Sequence, residues 1–215
     1  MPSFQDDFFV NNLLSDSQAD SIELLNGNMR YYPHFLSEAD AHSLMDQLMS
    51  EIAWQSGEVT LYGKSHYIPR LQAWLGESAY AYRYSGHTLV SETWPNSLSS
   101  LAQQISILSQ CDFNTVLGNL YRNGQDSMGW HADDEPELGH FPVIASLSLG
   151  AERDFVLRPI GETRQSAKIS LAHGSLLIMN AGMQSRWQHA LPKRARCNAP
   201  RMNLTFRKIV DNIND

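Results

Sequence analysis

Hydrophobic and polar positions change rhythm near residue 112. Before it, apolar residues recur at helical spacing in two stretches. Leu44, Leu48 and Ile52, with Met45 and Met49, form one stripe, and Ser37 stands where an N-cap is needed. Leu98, Leu101, Ile105 and Leu108 form a second stripe after Pro95, a residue that suits a helix start. Between these landmarks, the segment 22–35, with Asn26-Gly27 inside it, predicts a short hairpin. Residues 1–20 are polar and irregular, which reads as an N-terminal arm. Beyond 112 the chain turns to short alternating runs rich in β-branched and aromatic residues, separated by turn formers. They predict strands at 113–121, 128–133, 142–149, 153–158, 168–171, 175–179, 186–190 and 202–208. Eight closely spaced strands predict a mainly β fold with flanking helices, a double-stranded β-helix or jelly roll. The two early helices are expected to support one sheet from outside. We read one domain over 21–215, with its jelly-roll core at about 112–209, and no internal repeat.

The alternation also sorts chemistry. Along the last strand Met202, Leu204 and Phe206 share one face, while Arg201, Asn203, Thr205 and Arg207 share the other. The first set can pack in a core. The second sends two guanidinium groups inward, and buried guanidinium groups are costly without anions. A dicarboxylate is a natural partner, because each guanidinium fork matches a carboxylate. Asn119 and Tyr121 likewise share a strand face and can reach the same ligand. His131 and Asp133 stand two apart, so a strand would turn both to one side. With His189 they make a two-histidine, one-carboxylate set, the arrangement of non-haem Fe(II) oxygenases, which leaves coordination positions open. Asp134 is the competing carboxylate, and its side chain is expected to face away. Two histidines and an aspartate also suit a zinc hydrolase, which would have no use for two inward arginines.

Charge changes the picture only when it is divided. The net charge is −7, yet residues 1–58 hold ten acids against one base, Arg30. The remainder holds fifteen bases and thirteen acids, and Arg186 to Lys208 carries seven bases and no acid. Local potential steers a polyanion, so overall acidity does not exclude nucleic acid. Two cysteines, Cys111 and Cys197, do not make a disulfide framework and fit a reducing compartment. No apolar run reaches the roughly 20 residues of a membrane span, and the first residues lack the basic start of a signal peptide. A cytoplasmic protein, nucleoid-associated if bacterial, is expected, with no membrane and no obligate protein partner.

Several of these residues stand in a familiar order. Asn119-Leu120-Tyr121, His131-x-Asp133-x-Glu135, His173-Gly174-Ser175-Leu176, Trp187-x-His189 and Arg201-x-Asn203-Leu204-Thr205-Phe206-Arg207 resemble the AlkB family of Fe(II)/2-oxoglutarate dioxygenases. The resemblance runs over residues 59 to 209. It implies that His131, Asp133 and His189 hold iron and that Arg201 pairs with the distal carboxylate of 2-oxoglutarate. Asn119, Tyr121, Asn203 and Arg207 would position the rest of that co-substrate. Together with O2, the co-substrate would yield succinate and carbon dioxide, while an N-methyl group is hydroxylated and lost as formaldehyde. N1-methyladenine and N3-methylcytosine in DNA are the implied substrates.

Gly63-Lys64-x-His66-x-x-Pro69-Arg70-x-Gln72 resembles the branch that repairs double-stranded DNA, which marks about 55–90 as a nucleotide-recognition segment. There Leu61, Tyr62 and Gly63 stand where that branch inserts an apolar wedge into the base stack, filling the space of a flipped nucleotide. From spacing alone the same residues also make a plain hairpin with Leu61 packed inward. Tyr82, Tyr84 and Ser85 would line the base pocket, against the alternative that the aromatics are core. Arg70 and Glu135 would meet the base edge. Lys64, Lys193, Arg194 and Arg196 would contact phosphates, positioning the strand without reading its sequence. Ala195 interrupts the last basic run, which weakens the expected grip on a complementary strand. The same chemistry on RNA or protein, and a sensor that binds iron and 2-oxoglutarate without turnover, remain as alternatives.

Overall fold

Residues 21–61, 64–77, 81–84 and 87–210 are described by the computed structural model; at 59–61, 64–65, 81–84 and 87–90 this covers the backbone alone. The expected N-terminal arm, Tyr62, Gly63 and Ser85 therefore lie outside the described residues. So do the side chains of Leu61, Lys64, Tyr82 and Tyr84. The N-terminal half builds β1 (Ile22–Leu24), β2 (Met29–Tyr32), helix α1 (Glu38–Glu51), β3 (Gln55–Leu61), β4 (Lys64–Gly76), β5 (Ala81–Tyr84), β6 (His87–Val90), β7 (Glu92–Thr93) and helix α2 (Asn96–Ser109). Asn26 and Gly27 turn the first hairpin with φ of 54° and 81°, the left-handed conformation these residue types tolerate best. Ser37 caps α1 by accepting a hydrogen bond from the Asp40 backbone N–H at 3.1 Å.

Eight further strands follow, one for each alternating run. They are β8 (Thr115–Tyr121), β9 (Met128–His131), β10 (Ile144–Gly150), β11 (Arg153–Pro159), β12 (Ala167–Leu171), β13 (Ser175–Met179), β14 (Trp187–Leu191) and β15 (Arg201–Arg207). The large sheet runs β1-β2-β13-β10-β15-β8-β4-β3, with β7 on β4. The small sheet runs β12-β11-β14-β9, and β5 and β6 form a separate hairpin. The large sheet is wider than alternation after residue 112 predicts. Its edges are completed from the first third of the chain, by β2 on β13 and by β4 on β8. A second difference matters more for chemistry: β9 stops at His131, so Asp133 is not on a strand.

The two faces of the large sheet do different work. Met202, Leu204 and Phe206 are fully buried against Leu48, Leu98 and Ile105 of the helices, which do pack outside this sheet. On the opposite face Trp74, Leu117, Leu177 and Met179 meet Phe155, Leu157 and Leu171 of the small sheet. One residue's shift of register on β15 would exchange the cationic and apolar faces, so the helix-side packing fixes which residues look inward. Leu204→Ala should cost about 2–5 kcal/mol by leaving a cavity there. Ser37→Ala should cost about 1 kcal/mol through the lost cap. Denaturant titration of both variants checks this ranking, and equal losses would count against it.

Candidate metal centre and co-substrate pocket

Adjacent strands of the small sheet bring the two histidines together. His131 closes β9 and is the cross-strand partner of His189 on β14, with ring centroids 4.2 Å apart. Asp133 follows two residues beyond the strand end, and its Oδ2 lies 3.8 Å from His189 Nε2. One donor atom from each of the three lies within 4.8 Å of the other two. Asp133 and His189 are buried, while His131 is half-buried and Asp134 is exposed. The choice of Asp133 over Asp134 thus agrees with the geometry, although strand alternation is not the reason. Asp133 is aimed by its neighbours: its backbone N–H donates to Gln184 Oε1 at 3.0 Å, and its Oδ1 accepts from Arg207.

Protonation favours metal binding. His131 Nδ1 sits 2.9 Å from the Gly129 carbonyl oxygen, which can only accept, so Nδ1 carries the proton and Nε2 is left as a donor to metal. The His189 ring stacks on Phe155 at 5.0 Å, and its Nδ1 is buried without a hydrogen-bond partner among the described residues. Burial, reinforced by His131 and opposed by Asp133, pushes the His189 pKa down to about 3, which keeps the imidazole neutral. Burial alone would raise the Asp133 pKa. Arg207, His189 and His131 together outweigh it and hold the carboxyl below its ordinary value. Two imidazoles and one charged carboxylate facing a common cavity fit a divalent ion such as Fe(II), with room for further ligands.

That cavity is small and opens between the two sheets. Its far end is built on the β8–β15 ladder, where Arg201 pairs with Tyr121 and Asn203 with Asn119. The two same-face sets read from the sequence are therefore cross-strand partners. Arg201 is buried, donates to Ser148 Oγ at 2.8 Å, and holds its guanidinium 5.4 Å from the Tyr121 ring centroid. Its Nε has no partner, and it makes no ion pair among the described residues. Burial lowers its pKa to about 10, against the opposing effect of Tyr121, and the group remains cationic near neutrality. A buried cation without a counter-charge is a socket for an anion.

Other expected site residues are placed less simply. Asn119 Oδ1 accepts from Arg70 Nε at 2.7 Å and Gln72 Nε2 at 3.0 Å, so its amide is held with the NH2 group left to donate. Arg70 is thus buried against the co-substrate end of the site. Asn203 spends its amide on Ser146 Oγ, the Leu147 carbonyl and the Thr205 hydroxyl, bracing the ladder. Arg207 is engaged with Asp133. Glu135, two residues beyond Asp133 in the chain, is half-buried, with Oε2 unpartnered among the described residues. Lys193, Arg194 and Arg196 are exposed on the loop that joins the His189 strand to the Arg201 strand. Sequence reasoning passed over Gln184, Ser146 and Ser148. Ser146 and Ser148 alternate inward along β10, which was a readable signal; Gln184 lies in a turn and gave none.

A jelly roll with two histidines and an aspartate at its mouth and a buried arginine behind them defines a class: metal-dependent oxygenases that use a dicarboxylate co-substrate. The 2OG-Fe(II) oxygenase superfamily model matches residues 28–207. The chain is 39% identical over 189 residues to the DNA oxidative demethylase ALKBH2 of Bos taurus, covering 83% of this chain and 68% of that protein. It is 40% identical over 187 residues to alpha-ketoglutarate-dependent dioxygenase alkB homolog 3 of Homo sapiens, covering 83% of this chain and 65% of that protein. Among solved structures, OsALKBH1 superposes with a TM-score of 0.61 at 18% identity, covering 84% of this chain and 96% of that one, a likeness of fold. The chain belongs to the 2OG-Fe(II) oxygenase superfamily and, within it, to the AlkB family. It is a dioxygenase that takes Fe(II), 2-oxoglutarate and O2.

The depressed pKa of His189 has a measurable consequence for the metal-free protein. Between about pH 6.5 and 3 the unfolded chain binds a proton that the folded His189 refuses, so stability falls as pH falls through that window. The lowered Asp133 value adds a loss of the same sign at the acidic end. Urea midpoints of metal-free protein should decline from pH 7.5 to pH 5, and His189→Gln should flatten the decline. An unaltered slope in the variant would show that this imidazole is not buried uncharged.

Proposed function

We propose that the protein oxidatively removes N-methyl groups from bases in DNA, with N1-methyladenine and N3-methylcytosine as its substrates. The supporting observation is the pairing of the His131, Asp133 and His189 cluster with the Arg201 socket across one cavity. DNA enters through the relatives, one of which is named a DNA oxidative demethylase. When bound, Fe(II) and 2-oxoglutarate supply the O2-dependent oxidation of the methyl carbon, after which the hydroxymethyl group leaves as formaldehyde. The protein's residues set the geometry. His131 and His189 with charged Asp133 hold the ion, and Arg207 with Gln184 keep the carboxylate aimed. Arg201 anchors the distal carboxylate of 2-oxoglutarate, and Asn119, held by Arg70 and Gln72, donates to the same molecule. Arg207 and Asn203 brace that pocket as well as lining it.

Base recognition is assigned to Arg70, Glu135, Tyr82, Tyr84 and Ser85 within the 55–90 segment and its surroundings. Glu135 can accept a hydrogen bond from an exocyclic amine, which both methylated bases retain. The backbone of β3 and β4 forms a hairpin whose last paired residues are Leu61 and Lys64. A wedge role for Leu61, Tyr62 and Gly63 fits the connection between these two strands. Lys64, Lys193, Arg194 and Arg196 serve as phosphate contacts. No helix among the described residues is long and apolar enough to cross a membrane. We read the cytoplasm, with access to the nucleoid if the source is bacterial, as the place of action.

Formaldehyde release from methylated oligonucleotides, single- and double-stranded DNA and RNA side by side, tests the reading. Release should require both Fe(II) and 2-oxoglutarate, and His131→Ala should abolish it. Succinate formation with no substrate-dependent formaldehyde would point instead to a sensor, and release from RNA alone would move the target. Replacing Leu61 and Tyr62 together by alanine should reduce duplex repair more than single-strand repair. Equal losses would remove the wedge.

A further inference from the structure

Arg153 is among the largest fully buried side chains, with 1% of its surface exposed, and the catalytic reading so far gives it no role. It opens β11 and points inward with Phe155 and Leu157. Its guanidinium meets no carboxylate at hydrogen-bond distance among the described residues. Instead it donates to three backbone carbonyls: Asn123 at 3.3 Å, Asp126 at 2.9 Å and Pro192 at 2.7 Å. The first two belong to the loop 122–127 and the third to the loop 192–200. A buried charge spent on carbonyls is a costly way to tie two loops, and a guanidinium suits the task because its planar fork reaches several acceptors at once.

These loops touch each other as well as Arg153. Gly124 N–H donates to the Cys197 carbonyl at 2.7 Å, and Arg194 N–H donates to the Gly124 carbonyl at 2.8 Å. The approach is so close that a Cβ on Gly124 would lie 1.8 Å from the Arg194 carbonyl oxygen. One loop begins immediately after Tyr121, and the other ends immediately before Arg201. Tyr121 and Arg201 are the end rung of the β8–β15 ladder. Arg153 itself lies 5.9 Å from the Tyr121 ring centroid, on the ring that Arg201 also covers.

We propose that Arg153 is a positioning residue for 2-oxoglutarate: by clamping the two loops beyond the last rung and resting on the Tyr121 ring, it holds Arg201 preformed for the distal carboxylate. This rests on the reading of Tyr121 and Arg201 as the co-substrate end of the site. Arg153 touches neither co-substrate nor metal; it acts through Tyr121 and the loop ends. A socket assembled before binding avoids an ordering cost at the moment of binding. Loss of the clamp therefore weakens capture of 2-oxoglutarate and leaves the metal cluster in place.

Arg153→Met, Arg153→Lys and Arg201→Met, each in the full chain, separate the possibilities. Steady-state kinetics with varied 2-oxoglutarate and calorimetric titration of 2-oxoglutarate into Mn(II)-substituted protein are the two readouts. Arg153→Met should raise the KM and the Kd for 2-oxoglutarate by about tenfold, a larger effect than on kcat. Arg153→Lys keeps the charge without the fork, so it should fall between wild type and Arg153→Met. It also decides the matter if the methionine variant does not fold. Unchanged 2-oxoglutarate affinity in Arg153→Lys and Arg153→Met, while Arg201→Met weakens it, would overturn the proposal and leave the socket standing. Unchanged affinity in Arg201→Met would remove the socket itself. A drop in kcat at constant Kd would also count against positioning.

Discussion

The cost of burying charge governs this molecule. Asp133 is nearly sealed from water, and a lone carboxylate there would be driven toward its neutral form. Arg207 at one oxygen is the foremost neighbour that keeps it ionised, as a metal ligand must be. These groups come from the end of β9, from β14 and from β15, so the site exists only where the two sheets meet. Arg201 presents the opposite case. Its charge is buried with a hydroxyl and a tyrosine ring and, among the described residues, without an ion pair, which suits it to an anionic ligand.

The two demands are linked through one ladder. β15 carries Arg201 at one end and Arg207 at the other, seven residues that link the proposed co-substrate anchor to the neighbour of the Asp133 carboxylate. Its alternate residues, Met202, Leu204 and Phe206, are locked against the helices. The apolar packing on one face thus fixes the cationic geometry on the other, because a strand cannot turn one face without turning both. Ser146 and Ser148 on β10 complete the arrangement by occupying the amide of Asn203 and one nitrogen of Arg201.

Much of this was legible from periodicity. Eight alternating runs correspond to β8–β15, and Ser37 and Pro95 mark the starts of the two helices, because cap chemistry and alternation are local. Less legible was the first third, where β2 and β4 extend the large sheet; strand partners distant in sequence leave no local trace. Arg70 shows the same limit. It stands in a run that suggests base contact, yet its burial against Asn119 depends on the pairing of β4 with β8.

The triad divides along the same line. Sequence alone named His131, Asp133 and His189, and placed Arg201, Asn203, Thr205 and Arg207 on one face, since residue type and a period of two need no partner to be read. Why Asp133 points inward was decided only by the fold. Its strand has ended, and the side chains that aim it, Gln184 and Arg207, lie 51 and 74 residues away. The contacts of Arg153 are likewise invisible until two loops, nearly seventy residues apart, close on one guanidinium. Local order sets which groups a chain can offer; long-range packing sets which charges must answer one another.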